Sequence, residues 1–421
     1  MKVVVVGGGP AGLAAARAAA ANHAEVVLVD AEPGLGGQYH RGEDVALPGV
    51  RHLPNTSVWA VEGTRLHLRT GPADAPNRVA AVLDADAVVL ATGAHDRALP
   101  FPGWDLPGVV TAGAAQALAK AHGVPIGRRV VVAGTGPFLL PVACALRALD
   151  VDVVEVLEAG HPVAWARQPA AIVAGRAKLR EIVRHRAVLP RLRTRSAVVA
   201  AHGEDRVREV TIARLDRQWR VRAGTERRIE VDAVCVGFGF TPRLELAVAA
   251  GCAVVDGFVR VDARQATTAP RVYAAGEITG IGGADLSAAE GEVAGACAAG
   301  GEASKRALNA VRRGRVFAAG LARAHAVRPG WRTWPTPDTL VCRCEEVDLA
   351  TLRAAVDDHA ALGLRSLKLT CRVGLGLCQG RMCLRNAAEL AGFPYDAERA
   401  ARLPIAVPLR LGELAELPLE D

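Results

Sequence analysis

Val3-Val4-Val5-Val6-Gly7-Gly8-Gly9-Pro10-Ala11-Gly12 stands at the start of the chain. Four consecutive valines read as a strand buried on both faces, the kind that parallel sheets use. The run breaks at Gly7, and glycines recur at positions 9 and 12 before an alanine-rich helix begins near Leu13. Strand, tight turn and helix N-terminus in this order form the fingerprint of a dinucleotide site. Gly7 permits the turn, Gly9 lets the backbone approach a pyrophosphate, and Gly12 lets helix and strand pack closely. The free N–H groups and dipole of the helix end suit the phosphates. The next strand, 25–29, ends in Asp30, an acid at the distance expected to hold a ribose 2′-hydroxyl. A glycine triplet alone is a weak signal, and the acid is what gives it weight.

At 421 residues the chain exceeds a single hydrophobic core, so two or three domains are expected. The composition is 51% hydrophobic and only 4% aromatic, which leaves alanine and valine to fill the interior. The formal charge of +7 comes from scattered arginines, with clusters at 191–195 and 312–313. Without interleaved aromatics these read as a solvated surface rather than a nucleic-acid site. A basic face could also attract an acidic electron-transfer partner by steering. Lys2 before an apolar run imitates a signal peptide, but glycines and Arg17 interrupt the run, and the fold needs the strand. No uncharged stretch approaches the roughly 18 residues of a membrane span, and the cytoplasm is the expected location. Nine cysteines in a cytosolic chain point to metal or redox chemistry rather than structural disulfides.

Further along, Gly34-Leu35-Gly36-Gly37-Gln38 is too glycine-rich to be a plain connector, and 41–83 reads as an antiparallel excursion. Val88-Val89-Leu90-Ala91-Thr92-Gly93 is a buried strand ending in small residues that suit a ligand at the carboxyl end of a sheet. A second fingerprint follows the strand at 129–133, in Gly134-Thr135-Gly136-Pro137-Phe138-Leu139, with leucine where the third glycine belongs. That leucine is expected to push the helix from the strand and weaken pyrophosphate binding. The next strand ends in Glu158, which would favour the free 2′-hydroxyl of NAD and repel the phosphate of NADP. Residues 159–230 carry no legible motif. A buried strand resumes at 231–236, and another ends in Ala275-Gly276-Glu277. Residues 312–339, rich in Arg, Pro and Trp, read as a semi-rigid linker with Trp331 and Trp334 as packing anchors.

Past the linker the chemistry changes. Cys342-Arg343-Cys344 is followed, after a helix capped by Asp348, by Cys378 and Cys383 ahead of another helix at Leu384. Four thiolates at this spacing, C-x-C and C-x4-C, bind Zn²⁺ or a [2Fe–2S] cluster. Structural zinc usually has two C-x2-C pairs, and nearby glycines at 374, 376 and 380 let the backbone aim N–H groups at sulfur. A helix dipole beginning at Leu384 suits an anionic cluster. Iron–sulfur is favoured over zinc because a flavin, if that is the dinucleotide the first turn binds, would make an electron acceptor useful. Cys371 falls outside the pattern, and Cys144, Cys235, Cys252 and Cys297 read as small core residues. No C-x-x-C or C-x4-C pair lies near the glycine turns, so the redox thiol pair of a disulfide reductase is missing.

These residues together resemble the FAD-containing alpha (A/B-type) subunits of bacterial heteromeric amine dehydrogenases, of the opine, D-hydroxyproline and proline dehydrogenase and hydrogen cyanide synthase type. The alpha chain of heterotetrameric sarcosine oxidase is a more distant likeness. Matching stretches are 36–38, Leu-Pro-Phe-Pro-Gly-Trp at 99–104, 133–137, Gly-Phe-Gly-Phe-Thr-Pro at 237–242 and Gly-Ile-Gly-Gly-Ala-Asp-Leu at 280–286. The terminal module resembles the bacterioferritin-associated-ferredoxin type of [2Fe–2S] domain. The resemblance implies an α/β chain with two Rossmann-like dinucleotide-binding domains, the FAD domain split by the second, and a small α-rich C-terminal domain. FAD contacts would come from Gly7, Gly9, Gly12, Asp30, Gly37, Gln38, Thr92, Gly93, Gly276 and Glu277, the last being Asp in most relatives. Gly134, Gly136 and Glu158 would serve a second nucleotide, NAD or ATP, if one binds.

The expected division is 1–115 and 231–311 for FAD, 116–230 for the second nucleotide domain, 312–339 as linker, 340–400 for the cluster and 401–421 as tail. By resemblance a separate beta flavoprotein subunit oxidises the amine, so this chain is expected to relay electrons within a hetero-oligomer. A small ferredoxin-like subunit is the further partner expected. No His–carboxylate or thiol constellation near the flavin motifs offers a general base, and no catalytic residue is assigned. Two rivals stand beside this reading. One is a self-contained NADH-dependent reductase; the other is a non-enzymatic flavin-bearing scaffold with structural zinc.

Overall fold

The computed structural model describes residues 1–73, 75–178 and 185–415. Two compact units interleave along the chain. Met1–His95, Pro242–Ala319 and the residues from Asp396 onward form the first, and Asp96–Thr241 with Gly320–Tyr395 form the second.

The valine run is the central strand, Lys2–Val6, of a five-stranded sheet in the order Val272–Ala274, Ala87–Leu90, Lys2–Val6, Glu25–Val29, Val50–Leu53. Every pairing in it is parallel. The strand alternates as a pleated chain must. Val3 and Val5 face the alanine-rich helix Pro10–Ala21, and Val4 and Val6 face Val58, Leu66 and Leu68. Those three residues belong to the antiparallel sheet Thr56–Glu62, Arg65–Thr70, Val79–Asp84, the excursion read from the sequence. Burial on both faces explains why the run has no polar position, each valine contributing about 1.5–2 kcal/mol.

Pro10–Ala21 packs against a second helix, Ala284–Ala298, with almost no separation. A methyl on Gly291 would lie 2.0 Å from the Ala11 carbonyl oxygen, and one on Gly295 would lie 2.0 Å from that of Ala15. Small residues at these positions bring the two backbones together, as happens wherever helices cross through glycine and alanine. The segment around Glu413 is held to the antiparallel sheet. Arg78 Nη2 reaches Glu413 Oε2 at 2.7 Å and its Nε reaches Oε1 at 2.8 Å, while the Arg69 guanidinium donates to the Glu413 carbonyl. The expected tail at 401–421 is therefore packed structure as far as residue 415.

The second unit has its own five-stranded parallel sheet, ordered Leu192–Thr194, Asp152–Glu158, Arg129–Gly134, Ala233–Gly237, Val109–Thr111. A three-stranded antiparallel sheet, Ser196–His202, Glu209–Arg214 and Arg227–Glu230, accompanies it. Here two expected boundaries move. The strand at 231–236, assigned from sequence to the second FAD segment, pairs with Arg129–Gly134 and completes this sheet. An apolar run reads alike in either sheet, and only its pairing distinguishes them. Likewise 312–339 is no linker. Helix Lys305–Ala324 covers its first part, and Trp331 and Trp334 lie in the core of the second unit, 0% and 5% exposed.

The cysteine module also belongs to the second unit. It comprises a short hairpin, Leu340–Cys342 with Val347–Asp348, and helices Leu349–Asp357, Leu364–Cys371 and Leu384–Leu390. Asp348 caps the first helix by accepting from Thr351 N at 2.7 Å. Polar contacts fix the module in place: Arg97 pairs with Glu389 at 2.6 Å, Trp331 Nε1 donates to Glu389 Oε2 at 3.1 Å, and Asn386 Nδ2 donates to the Ala98 carbonyl at 2.7 Å. Among the described residues no helix is long and apolar enough to cross a membrane.

Candidate functional site

The carboxyl ends of the first sheet gather most of the residues singled out in the first unit. Gly7 adopts φ +106°, and a methyl there would sit 2.3 Å from the Ala91 carbonyl oxygen. A methyl on Gly12 would lie 1.7 Å from the Gly7 oxygen, so this position sets how closely helix and strand approach. Gly9 differs, since a methyl on it would meet nothing within 4 Å. The space above Gly9 is open, and no side chain caps the helix that starts at Pro10. Uncapped N–H groups facing open space are what an anionic ligand requires.

Asp30 stands beside this turn, 9% exposed. It accepts from the Gly8 amide and, through Oδ1, from Glu32 N at 2.8 Å. Burial pushes its pKa up, against those two amide hydrogen bonds. The loop at 34–38 folds back onto the turn: Gly36 N donates to Gly8 O at 2.8 Å, and a methyl on Gly37 would lie 2.8 Å from Gly9 Cα. Gln38 follows in the same loop, half-buried. Thr92 and Gly93 leave the neighbouring strand, and their polar groups meet Arg243. Thr92 Oγ1 donates to the Arg243 carbonyl at 2.8 Å, and Arg243 N donates to Gly93 O at 3.0 Å.

Gly276 reaches the same end of the sheet, where its Cα hydrogen faces Ala11; a methyl would come within 2.9 Å of Ala11 Cβ. Glu277 is turned toward the start of helix Ala284–Ala298, its Oε1 accepting from Gly283 N at 2.8 Å and Gly282 N at 3.4 Å. Burial raises its pKa. A carboxylate that sequence reasoning passed over lies close by. Glu290, 1% exposed, accepts from Gly276 N at 3.0 Å, Thr279 Oγ1 at 2.7 Å and Arg315 Nε at 3.0 Å. Its signal was available, as an acid on the buried side of a helix built from alanine and glycine.

The second glycine turn has the same strand and a different helix. Gly134 adopts φ +150°, with a methyl position 1.8 Å from the Gly237 oxygen. The helix begins only at Leu139, the position of the missing glycine, whereas the first helix begins two positions earlier in its own fingerprint. Leu139 is 2% exposed and packs toward Gly237. Leu139 N and Leu140 N turn back to Gly136 O and Pro137 O, at 3.4 and 3.2 Å.

Glu158 closes this turn from its own side, accepting from Thr135 Oγ1 at 2.7 Å, Gly136 N at 2.8 Å and Gly160 N at 2.7 Å. His325 Nδ1 lies 3.6 Å from Glu158 Oε2, and its Nε2 accepts from Trp165 Nε1 at 3.1 Å. Burial pushes the Glu158 pKa up, but hydrogen bonds from His325, Thr135 and the Gly136 amide outweigh it and hold the group below its ordinary value. His325 and Trp165 carried no sequence motif; only the fold brings them to Glu158.

The four patterned cysteines meet in the second unit. Cys342 and Cys383 are buried, Cys378 half-buried and Cys344 exposed. Cys383 hydrogen bonds with both Cys342 and Cys378, and Cys378 with Cys344. The Cys342 pKa falls to about 6, chiefly through the Cys383 thiol, against burial and with help from the Gly374, Glu345 and Cys344 amides. Cys378 falls to about 5, again first through Cys383, with the Met382 and Gly380 amides assisting. Burial pushes Cys344 up, and the two thiols bonded to Cys383 push that group up strongly. Gly376 is required for the wrap, because a methyl there would lie 2.2 Å from Cys344 Cβ. Cys371 stands apart, its Sγ donating to the Leu367 carbonyl at 3.2 Å. Among the described residues no group of three or more His, Cys, Asp or Glu side chains is placed to hold a single metal ion.

Residues 1–314 match the family described as pyridine nucleotide-disulphide oxidoreductase. Hydrogen cyanide synthase subunit HcnB of Pseudomonas protegens is 31% identical, over 92% of this chain and 91% of its own. The A-type subunit of opine oxidase from Rhizobium meliloti is 30% identical, over 99% of this chain and 87% of its own. Among solved structures, L-proline dehydrogenase from P. horikoshii superposes with a TM-score of 0.70 over 99% of this chain and 79% of its own, at 20% identity, a likeness of fold.

Proposed function

Because the chain belongs to the pyridine nucleotide-disulphide oxidoreductase family and is an FAD-dependent oxidoreductase, we propose that it is the electron-relay subunit of a heteromeric amine or imino-acid dehydrogenase. In this reading the first glycine turn holds FAD, and Cys342, Cys344, Cys378 and Cys383 hold a [2Fe–2S] cluster. The observation that carries it is the mutual hydrogen bonding of those four thiols, two of them with depressed pKa values, beneath amides aimed at sulfur. The C-x-C and C-x4-C spacing departs from the two C-x2-C pairs usual for structural zinc, which favours the two-iron cluster.

FAD supplies a carrier that takes electrons in pairs and releases them singly, and a [2Fe–2S] cluster accepts them one at a time. The chain's own residues bind and orient. Gly9 and the uncapped N–H groups after Pro10 receive the pyrophosphate, Asp30 the ribose, and Gly37, Gln38, Thr92, Gly93, Gly276 and Glu277 border the remaining length. Glu290 holds the Gly276 amide and Arg315, fixing the approach of that strand end to the flavin.

The second turn supports a relay rather than an NADH-fed reductase. Gly134, Gly136 and Glu158 form the frame of a nucleotide site, but Glu158 already takes the Thr135 and Gly136 donors, and Leu139 delays the helix. The two relatives, from Pseudomonas protegens and Rhizobium meliloti, are named as subunits. This supports a hetero-oligomer; the reading further assigns it a beta flavoprotein subunit that oxidises the amine, a small ferredoxin-like subunit and a cytoplasmic location. Proline- or hydroxyproline-type substrates are the first choice and opines the second, by analogy.

The test is metal analysis with electron paramagnetic resonance of the dithionite-reduced protein. A rhombic cluster signal that disappears with the iron in Cys378→Ser is the expected result. Stoichiometric zinc without such a signal, or unchanged iron in Cys378→Ser, refutes the assignment.

A further inference from the structure

Inside the second unit a buried ring carries an exposed cation. Trp104 closes the stretch 99–104, and its indole is 2% exposed, in the same core as Phe101, Trp331 and Trp334. Its Nε1 donates to the Leu340 carbonyl at 2.6 Å, at the start of the hairpin strand Leu340–Cys342. The Arg343 guanidinium lies over the ring, with Cζ 4.7 Å from its centroid. We propose that Trp104 is a positioning residue that holds Arg343 beside the first cysteine pair, where the fixed positive charge raises the reduction potential of the cluster, a role that rests on the cluster reading above.

Arg343 is the middle residue of Cys342-Arg343-Cys344. Left free, an exposed arginine beside the exposed Cys344 would sample solvent, where water and salt screen its charge. A planar guanidinium stacks on aromatic faces, and indole is the best of those faces for a cation. Core packing and the bond to Leu340 fix the ring itself. The contact therefore turns a mobile surface cation into a fixed one, whose charge acts on Cys344.

Neighbouring carboxylates offset that charge only in part. Among the described residues Arg343 forms no ion pair, and Asp105, the carboxylate acting on it, is exposed. Glu345 is taken by Arg372 at 2.8 Å, Glu389 by Arg97 and Arg385 at 2.6 and 3.3 Å, and Glu346 is exposed. The second cysteine pair has an arginine of its own, Arg381, whose Nη1 donates to the Cys378 carbonyl at 3.3 Å and to Gln379 Oε1 at 3.0 Å. Reduction adds an electron to a cluster already anionic through its thiolates and sulfides, so a fixed cation nearby favours the reduced form. One electron leaves the reduced flavin and one ferric ion becomes ferrous, with no bond made or broken.

The test is potentiometry of the full chain with its cofactors, poised with dithionite and redox mediators and read by the electron paramagnetic resonance of the reduced cluster. Arg343→Gln is expected to make one-electron reduction about tenfold less favourable, a fall of about 59 mV. Arg365→Gln removes an equal, exposed charge remote in sequence from the four thiols, and is expected to change it by less than about twofold. Trp104→Leu is expected to lower the potential part of the way, and the double variant to fall no further than Arg343→Gln alone. Iron content establishes that each variant keeps its cluster, and exposed Arg343 tests the charge even where Trp104→Leu fails to fold. Arg343→Gln with a full cluster signal and a potential no lower than that of Arg365→Gln overturns the proposal and leaves the cluster reading standing. Fully additive shifts in the double variant overturn the positioning role of Trp104. Wild-type protein without iron or a cluster signal refutes the cluster reading, and this inference with it.

Discussion

Replacing Gly291 by alanine tests whether contact between Pro10–Ala21 and Ala284–Ala298 sets the nucleotide turn. Two opposed effects are involved. Alanine in a helix interior is normally more favourable than glycine by about 0.8–1 kcal/mol, so an exposed site would gain stability. At Gly291 the new methyl lies 2.0 Å from the Ala11 carbonyl oxygen, a backbone atom at the second residue of the fingerprint helix. Ordinary contact requires more than an ångström of additional separation, and backbone cannot rotate away as a side chain does. Overpacking of this kind costs about 1–3 kcal/mol, which exceeds the propensity gain. The expected net loss is about 1–2 kcal/mol, or roughly 2–4 °C in melting temperature per kcal/mol for a unit of this size. Because Gly12 permits no compensating shift of the fingerprint helix toward its strand, FAD retention falls as well. Gly314→Ala is the contrast, since its methyl would meet only the movable Leu286 side chain, at 2.7 Å. Differential scanning calorimetry and the flavin-to-protein absorbance ratio after gel filtration measure both effects. A Gly291→Ala variant that melts higher than wild type with full flavin would refute the reasoning.

Further outcomes follow from the same geometry. Hydrogen bonds to Arg78 hold the Glu413 pKa at about 2, well below its ordinary 4.5, so its stabilisation is complete above about pH 4.5 and lost as pH falls toward 2. Glu413→Gln should therefore cost about 3 kcal/mol at neutral pH, with the gap to wild type closing in acid denaturation below pH 4. Trp331→Ala removes a fully buried ring and leaves the Glu389 carboxylate one donor short, costing about 3–5 kcal/mol by chemical denaturation. Gly376→Ala should lose iron while leaving the flavin spectrum intact, because its methyl collides with Cys344 Cβ. Anaerobic stopped-flow mixing with NADH should leave the flavin oxidised; rapid bleaching would reinstate the NADH-dependent reductase.

Much of the fold was legible because local signals and tertiary pairing agree. Valine runs ending in glycine turns defined both parallel sheets, and Asp348 announced its helix. Chain routing was less legible. The run at 231–236 fits either sheet by composition, and only its pairing with Arg129–Gly134 decides. Proline and arginine at 312–339 suggested a linker, yet Trp331 and Trp334 outweigh them, since burying large aromatics contributes more than a few prolines disfavour. Within the sites, residues carried by a spaced motif were legible. Glu290 and His325 were not, because each acts through a partner far away in sequence.

The two glycine turns show how far a fingerprint reaches. Both begin with a glycine at positive φ whose methyl position is filled by a carbonyl of the neighbouring strand end, so sheet geometry accounts for the shared first glycine. Differences begin one residue later and concern donors. In the first turn the helix starts at Pro10 without a cap, and Asp30 takes only the Gly8 and Glu32 amides, leaving the N–H groups beyond Gly9 for a ligand. In the second, a carboxylate one methylene longer reaches Gly136 N and the Thr135 hydroxyl, His325 stands 3.6 Å behind it, and Leu139 bends the first helical amides onto Gly136 O and Pro137 O. Every donor satisfied internally is one a phosphate would have to displace, and each such bond is worth about 0.5–1.5 kcal/mol. Strand–turn–helix order thus specifies the architecture, while the third glycine and the reach of the acid decide whether that architecture presents a vacant set of donors.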